Sequence, residues 1–171
     1  MKNYQPLECT QPIMDQLTKN GGVFITAGTM EDANTMTISW GMVGLIWQRP
    51  LFLTAIRMDR FTHHLVEKYG AFTIGVPKEN TLSEQLLFMG SKSGRDIDKY
   101  EQSGLSLLPG QYGPVPVIEQ CALQLECRVV SSHIMEPLLT DANIRAQMYD
   151  KLNVYHNLYY GEILGCYSTE E

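Results

Sequence analysis

The chain carries its strongest signals in two stretches, NTMTISWG at residues 34–41 and RMDRFTHH at residues 57–64. The first has the composition of a β-strand, in which successive side chains point to opposite faces of a sheet. One face carries hydroxyl groups and the other carries apolar groups, namely Thr35, Thr37 and Ser39 against Met36, Ile38 and Trp40. Such a strand can offer a flat wall and small polar groups to a planar ring. The alternative is a half-buried strand with Trp40 in the core.

The second stretch lies where a strand changes into a helix. Residues 51–56, LFLTAI, are apolar and favour a buried strand. Phe61, Leu65 and Tyr69 then recur at helical spacing, and Gly70 follows at the position of a C-terminal cap. We therefore predict a helix that begins at Thr62.

A phosphate site is indicated at this helix start. Arg57, Arg60 and the Thr62 hydroxyl lie beside the unpaired N–H groups of the first turn, and together they offer charge-assisted hydrogen bonds to a dianion. The alternative is that both arginines are surface cations paired with Asp59 or Glu67. The two stretches strengthen each other, because one can line a ring and the other can hold its phosphate.

Five motifs in one order resemble the flavin reductase-like, FMN-binding split-barrel family, and most closely its flavoredoxin branch. The two stretches above are followed by SKSGRDIDK at residues 91–99, LECRVV at residues 125–130 and HNLYYGEI at residues 156–163. The resemblance covers the chain from about Val23 to Tyr167. One departure is Phe61, where relatives often carry Tyr, so a hydrogen bond from that hydroxyl is not expected.

The resemblance implies a mainly β fold with inserted α-helices, a six-stranded antiparallel Greek-key split barrel that binds FMN without a covalent bond. It also implies a homodimer with FMN at or near the interface, and the many aromatic residues agree with a covered surface. The residues that it implies for binding the cofactor are Asn34, Met36, Thr37, Ser39, Trp40, Arg57, Arg60, Phe61, Thr62, Lys92 and Tyr159.

His156 is the candidate catalytic residue, because the resemblance puts it close to the flavin. A histidine with an ordinary pKa of about 6.5 can donate a hydrogen bond or a proton to reduced flavin. The alternative is a histidine that holds a loop before the final strand. Lys92 also has two interpretations. It can bind the phosphate or the ribityl chain, or it can be a flexible surface lysine in a Ser/Gly loop.

Length, composition and charge exclude several classes of protein. A chain of 171 residues with 44% hydrophobic content can bury one good core, so we predict a single domain over residues 1–171. The net charge of −6 and the lack of a basic block argue against nucleic-acid binding. The apolar runs are too short to span a membrane, and the first residues lack an apolar signal core. We predict a cytoplasmic protein without a membrane partner.

Short strands and three helices are expected along the chain. The predicted strands are residues 22–27, 35–40, 44–47, 51–56, 71–76, 122–132 and 163–167. After the helix at Thr62, a second helix is expected after Thr81, with Glu84 completing a capping box, and a third from about Asp141. The apolar face of the third helix comprises Ile144, Met148 and Leu152.

Neither hydrolysis nor metal binding is indicated. The four cysteines lack metal-type spacing and are expected to be free, mostly buried thiols, and His63 and His64 have no third ligand nearby. A flavin would supply redox chemistry. We expect a reductase that takes electrons from NAD(P)H, which must stack on the flavin because the dinucleotide-binding fingerprint is missing. An electron carrier with protein partners and a non-redox flavin-binding protein stay open.

Overall fold

Antiparallel strands form the framework of the computed structural model, which describes residues 2–149 and 154–169. In chain order the strands are β1 (Lys2–Asn3), β2 (Val23–Ala27), β3 (Asn34–Ile38), β4 (Gly41–Ile46), β5 (Arg49–Arg57), β6 (Ala71–Val76), β7 (Leu107–Leu108), β8 (Val117–Ile118), β9 (Leu123–Ile134) and β10 (His156–Ser168). The α-helices are α1 (Thr10–Lys19), α2 (Phe61–Tyr69), α3 (Ser83–Ser91), α4 (Lys99–Ser103) and α5 (Ala142–Met148). Short 3₁₀ helices cover Pro6–Cys9 and Glu136–Leu138.

The main sheet curls round until its two edge strands lie near each other. Its strands pair in the order β3-β2-β6-β9-β10-β5-β4, with β1 paired to the end of β10, and every described pairing is antiparallel. The edge strands β3 and β4 are joined by Ser39 and Trp40 alone. Because so short a link keeps both edges close, the sheet curls into a barrel that is open between them. The predicted antiparallel β fold with inserted helices is confirmed, with seven strands along the path rather than six.

Two apolar clusters hold the barrel and its helices together. The interior contains large buried side chains, including Ile25, Phe52, Ile56, Phe72, Ile74, Leu125 and Tyr159. On the other side of β2, Phe24 packs with Leu86 and Met89 of α3. Since successive residues of a strand alternate, β2 is buried on both faces. This second cluster fixes α3 beside β3, the strand that begins the first sequence motif.

Several predicted elements are confirmed. β6 has the predicted bounds, Ala71–Val76. α2 ends at Gly70, whose φ of 62° is a left-handed conformation that strains residues with a Cβ atom. α5 follows Asp141, whose carboxylate accepts hydrogen bonds from two N–H groups of the first turn. Leu152, which was predicted for the same helix, lies outside the described residues.

Two local predictions are wrong. Thr81 does not cap α3, because its hydroxyl donates to the Lys78 carbonyl, and the N-cap is Leu82 in a left-handed conformation with φ 57°. β10 begins at His156 instead of Ile163. Its first half is strand because β5 and β9 both pair with residues 157–162, and these partners are distant in sequence.

The cysteines are all buried, as predicted, and two of them connect the start of the described chain to β10. The Sγ atom of Cys166 donates to Sγ of Cys9 at 3.0 Å. The N–H of Tyr4 donates to the carbonyl of Cys166 at 2.9 Å. These contacts hold the segment before α1 against the end of β10.

Candidate functional site

The turn between β5 and α2 presents two arginines at a helix start. β5 ends at Arg57 and α2 begins at Phe61, so Arg60 is the residue before the helix. No side chain caps α2, and its first N–H groups therefore stay available to an anion. Arg57 Nε donates to Asp59 at 2.7 Å, as one alternative predicted, whereas Arg60 has no ion pair with any residue that the structure describes.

A small cavity of about 130 Å³ opens at this turn, and we call it the anion pocket. Its lining, drawn from the described residues, contains one carboxylate, Asp59, and five cations, which are Arg57, Arg60, Lys92, Arg95 and Lys99. A chain with a net charge of −6 has thus concentrated positive charge at one place. The arrangement fits a multiply charged anion such as a phosphate.

A hydrogen bond between two uncharged side chains of the anion pocket joins β3 to α2. The Asn34 amide donates to the Thr62 hydroxyl at 2.7 Å, and both side chains are buried. The Thr62 O–H can still donate to a ligand, since a hydroxyl accepts and donates at once. Gly94 lies so close to Asn34 Oδ1 that a Cβ atom at residue 94 would collide with it. A side chain at residue 94 would therefore push Asn34 away from its contact with Thr62.

Lys99 is a residue of the anion pocket that the sequence interpretation missed. It is only 3% exposed, and its Nζ atom donates to the carbonyls of Thr35 at 2.5 Å and Met89 at 2.7 Å. Burial, with a smaller effect of Arg60, lowers the pKa of Lys99 to about 8. Its position at the end of the SKSGRDIDK motif was the available signal, but nothing local indicates that this lysine is buried.

A larger cavity of about 320 Å³, which we call the open cleft, continues from the anion pocket. The two cavities share Met36, Arg57 and Arg60. The open cleft is lined by the second half of β3, by neighbouring parts of β5 and α5, and by the start of β10; the residues are Met36, Thr37, Ile38, Ser39, Trp40, Ala55, Arg57, Arg60, Met148 and His156. This arrangement offers one elongated site with a charged end and an apolar end.

His156 lies in the open cleft against an aromatic wall. Its ring centroid is 4.6 Å from that of Trp40, and its Nδ1 atom shares a hydrogen bond of 3.1 Å with the Tyr149 hydroxyl. Burial, followed by repulsion from Arg57, lowers the pKa of His156 to about 4. The ordinary pKa assumed from the sequence is thus replaced by a lower one. At neutral pH this imidazole is neutral, so it offers a hydrogen bond rather than a ready proton.

The hydroxyl face of β3 binds neighbouring elements of the protein. The Thr35 hydroxyl shares hydrogen bonds with Thr26 at 2.7 Å and with Tyr100 at 2.9 Å, and the Thr37 hydroxyl donates to the Leu86 carbonyl at 2.6 Å. Met36, from the opposite face, lines both cavities. The apolar face of this strand, not the hydroxyl face, is therefore the one directed at the site, although Thr37 and Ser39 still line the edge of the open cleft.

The remaining predicted residues divide between the site and the core. Phe61 lines the anion pocket, and the Arg95 guanidinium lies 5.3 Å from the centre of its ring. Lys92 lines the same pocket and is exposed. Tyr159 is only 1% exposed, its hydroxyl donates to Glu67 at 2.5 Å, and it lines neither cavity. The structure thus brings together every predicted site residue except Tyr159.

Clustered metal ligands and membrane-spanning helices are both absent from the part of the chain that the structure describes. Among residues 2–149 and 154–169, no three His, Cys, Asp or Glu side chains are grouped so that they could hold a metal ion. Within those ranges, no helix has both the length and the apolar composition needed to cross a bilayer.

Comparison with protein families gives a match over nearly the whole chain. A family model described as flavin reductase like domain matches residues 14–171. An uncharacterized protein of Archaeoglobus fulgidus is 34% identical over 107 residues, which cover 63% of this chain and 59% of that protein. The chain therefore matches less than two thirds of the length of this relative.

Solved structures share the fold at low sequence identity. An FMN-binding domain of flavin reductases-like enzyme from Shewanella baltica has a TM-score of 0.68 and 20% identity, covering 98% of this chain and 76% of that one. Flavoredoxin of Desulfovibrio vulgaris has a TM-score of 0.68 and 19% identity, covering 87% and 70%. The predicted split-barrel architecture is confirmed by these two likenesses.

Proposed function

The chain belongs to the flavin reductase-like domain family, and on this premise we propose that it is an FMN-binding oxidoreductase. It binds FMN without a covalent bond and passes electrons from NAD(P)H to flavin or to another acceptor. The phosphate lies in the anion pocket, and the ring lies in the open cleft. The architecture shared with an FMN-binding domain of Shewanella baltica supports this assignment.

The observation that carries the proposal is the charge of the anion pocket. Five cations surround a volume of about 130 Å³ at an uncapped helix start, and a buried Thr62 hydroxyl lies among them. Such a site favours a dianion over a neutral group. FMN carries a phosphate dianion at one end and an uncharged ring system at the other, and this order of groups matches the order of the two cavities.

The residues of the open cleft hold and shield the ring system. Met36 and Trp40 supply apolar surface, and the neutral His156 supplies a hydrogen-bonding nitrogen. When bound, the flavin supplies the redox chemistry itself, as an acceptor of a hydride or of single electrons. A nicotinamide has to approach through the open side of the cleft, since the sequence lacks the dinucleotide-binding fingerprint of a separate nucleotide site.

The first test is whether the purified protein carries FMN. We expect a yellow protein with about one FMN per chain, released by mild acid and identified by chromatography. A colourless protein that takes up no FMN in a titration would overturn the proposal. Riboflavin is the matched control ligand, because it has the same ring and lacks the phosphate.

A second candidate function is electron transfer to a protein partner. The lining of the open cleft includes the exposed side chains of Trp40 and Met148, and exposed apolar side chains around a redox site favour contact with another protein. The same fold in a flavoredoxin supports this alternative. A non-redox flavin-binding protein is the third alternative, and nothing in the site favours it.

Anaerobic stopped-flow absorbance separates these functions. A reductase bound to FMN should lose its flavin colour within turnover time after mixing with NADH or NADPH. A carrier should respond slowly or not at all to either nicotinamide and rapidly to dithionite or to a reduced partner protein. Fast bleaching by a nicotinamide would exclude the pure carrier, and bleaching by dithionite alone would exclude the reductase.

We further propose that two copies of the chain assemble through β4. This edge strand and the turn after it expose large apolar side chains with no charged residue among them, namely Met42, Leu45, Ile46 and Trp47. Proteins normally protect a sheet edge with charges, proline or a covering element. A second copy is the covering element that we propose. Because β4 begins directly after Trp40, the same contact lies beside the open cleft.

A further inference from the structure

Lys99 is a buried cation that forms no ion pair with any carboxylate the structure describes. Its ammonium group is held by two backbone carbonyls, from Thr35 of β3 and Met89 of α3. None of the ion pairs formed by the described residues includes it. A buried charge without an opposite charge is unfavourable, and an anion bound beside it would compensate that charge.

The position of Lys99 fits that role. It lines the anion pocket on one side and a second cavity of about 600 Å³ on the other. An ammonium group has three donors, and two of them are used by the carbonyls. The third is left for a ligand. Lys92, the lysine expected from the sequence, lines the same anion pocket but is exposed to solvent, so its charge is already stabilised by water.

We propose that Lys99 is the buried counter-charge of the bound phosphate, so that binding of the phosphate and protonation of Lys99 are coupled. The proposal rests on the function proposed above, because it takes FMN as the ligand. Among the residues of the anion pocket, Lys99 should then make the largest contribution to the pH dependence of phosphate binding.

The groups around Lys99 allow this coupling to be measured. Arg57 and Arg60 face the anion pocket from β5 and the start of α2, and Arg95 faces it from the loop after α3. These guanidinium groups keep their charge at any pH used for a protein. The carboxylates in the linings of the two cavities are Asp59 at the anion pocket and Glu31, Asp32, Asp96 and Asp98 at the second cavity. Lys92 also faces the anion pocket, from the loop after α3. Burial raises the pKa of the neighbouring Tyr100 phenol, so it stays neutral.

Proton uptake is the direct consequence. Without ligand, a pKa of about 8 leaves a substantial fraction of Lys99 neutral at pH 8. A phosphate dianion favours the charged form and raises this pKa, so a proton is taken up from solution. The phosphate of FMN contributes no proton of its own, because its second pKa is about 6. Riboflavin should bind without this uptake.

Isothermal titration calorimetry of the full chain at pH 8 tests the prediction. Two buffers with different ionisation enthalpies give the number of protons exchanged. We expect roughly half a proton taken up per FMN, since the pH of the experiment matches the lowered pKa, and none per riboflavin. Equal proton exchange with both flavins would overturn the proposal without any variant.

Variants assign the effect to Lys99. Lys99→Met removes the charge at similar length, and Lys99→Gln keeps two N–H donors for the two carbonyls while removing the charge. Each should abolish the proton uptake and weaken FMN binding by about tenfold to a hundredfold, with riboflavin binding unchanged. Lys78→Met, at an exposed position outside both cavities, is the matched control and should behave like the wild type.

The outcomes separate this proposal from the proposed function. If the wild type binds no FMN, the proposed function fails. If the wild type binds FMN and both Lys99 variants lose affinity for both flavins equally, Lys99 only ties α3 to β3 and the present proposal fails alone. If Lys99→Met does not fold, Lys99→Gln and the proton exchange of the wild type still decide the question.

Discussion

The two ends of the site are built in different ways. The anion pocket is closed by one chain, with five cations, the buried Thr62 hydroxyl and a glycine loop in direct contact with Asn34. The open cleft has one firm wall, from Trp40 and His156, and a rim of exposed apolar side chains. We therefore expect one chain to be sufficient to recognise a phosphate, and the choice of what reacts at the ring to depend on what covers the cleft.

We expect the anion pocket to determine how tightly FMN binds, and the open cleft to determine which reaction the bound flavin carries out. A charged, enclosed pocket fixes one end of a ligand with large and specific energies. An exposed apolar rim can be covered by a nicotinamide, by a protein partner or by a second copy of the chain. Substitutions at the anion pocket should consequently discriminate FMN from riboflavin. Substitutions at the open cleft should affect both flavins alike.

The largest loss of FMN affinity is expected for Arg60→Ala. Arg60 has no ion pair within the described ranges and lines both cavities, so its charge is available to the phosphate. A charge-assisted hydrogen bond contributes about 1.5–3 kcal/mol, so FMN affinity should fall by about tenfold to a hundredfold with riboflavin affinity unchanged. Fluorescence titration with both flavins measures the two constants.

Two further substitutions sharpen that measurement. Arg57→Ala should reduce FMN affinity less than Arg60→Ala does, because one nitrogen of Arg57 already donates to Asp59. Arg128→Ala is the control, since Arg128 is paired with Glu162 on a remote part of the sheet. Equal losses of FMN and riboflavin in Arg60→Ala would show that this arginine supports the fold instead of the phosphate.

The second largest loss of FMN affinity is expected for Gly94→Ala. The new Cβ atom would collide with Asn34 Oδ1, so Asn34 must rotate and give up its hydrogen bond to Thr62. Crowding of this kind typically costs about 1–3 kcal/mol, and we expect FMN affinity to fall by about tenfold. Gly113→Ala, where a Cβ atom would make only an ordinary contact of 3.8 Å, should bind FMN like the wild type. Unchanged binding by Gly94→Ala would mean that the loop adapts.

The sequence was most informative where the structure is local. The turn around Arg57 and Arg60, the cap position of Gly70 and the helix start near Asp141 each depend on neighbours in the chain, and all were predicted. The directions of side chains in β3 were harder. Alternation correctly separated Thr35 from Met36, but which face meets the ligand depends on where α3 packs, and that is a tertiary contact.

The helices α1 and α4 were missed although they are local. Three other features missed by sequence reasoning depend on distant partners. β10 extends to His156 because β5 and β9 pair with it, and no local pattern indicates a strand there. Tyr159 is in the core because Glu67 of α2 reaches its hydroxyl. Lys99 is buried because carbonyls of β3 and α3 converge on it. Polar side chains with buried partners are the ones that a hydropathy pattern assigns to the surface.

A third and smaller loss of flavin affinity is expected from a substitution on the edge strand β4. Leu45 is 59% exposed on β4, and Leu45→Lys places a charge on the surface that we propose a second copy covers. The chain should become monomeric in light scattering, and both flavins should bind severalfold more weakly, because a ligand beside an interface stabilises the assembled form. Leu87→Lys is the control, since Leu87 is 77% exposed on α3. A wild-type monomer that binds FMN tightly would contradict the proposed dimer.

The smallest effect is the acid sensitivity that His156 gives to the protein without flavin. Its pKa is about 4 when folded, and a histidine in an unfolded chain titrates near 6.5. Between these values the unfolded chain binds more protons, so the contribution to stability is complete above about pH 6.5 and is lost as the pH falls towards 4. Burial lowers the pKa of His63 too, which adds a loss of the same sign. His156→Asn should therefore reduce the fall in Tm between about pH 6.5 and 4.5 by a few degrees in calorimetry. An unchanged fall in His156→Asn would show that the acid sensitivity does not arise at the open cleft.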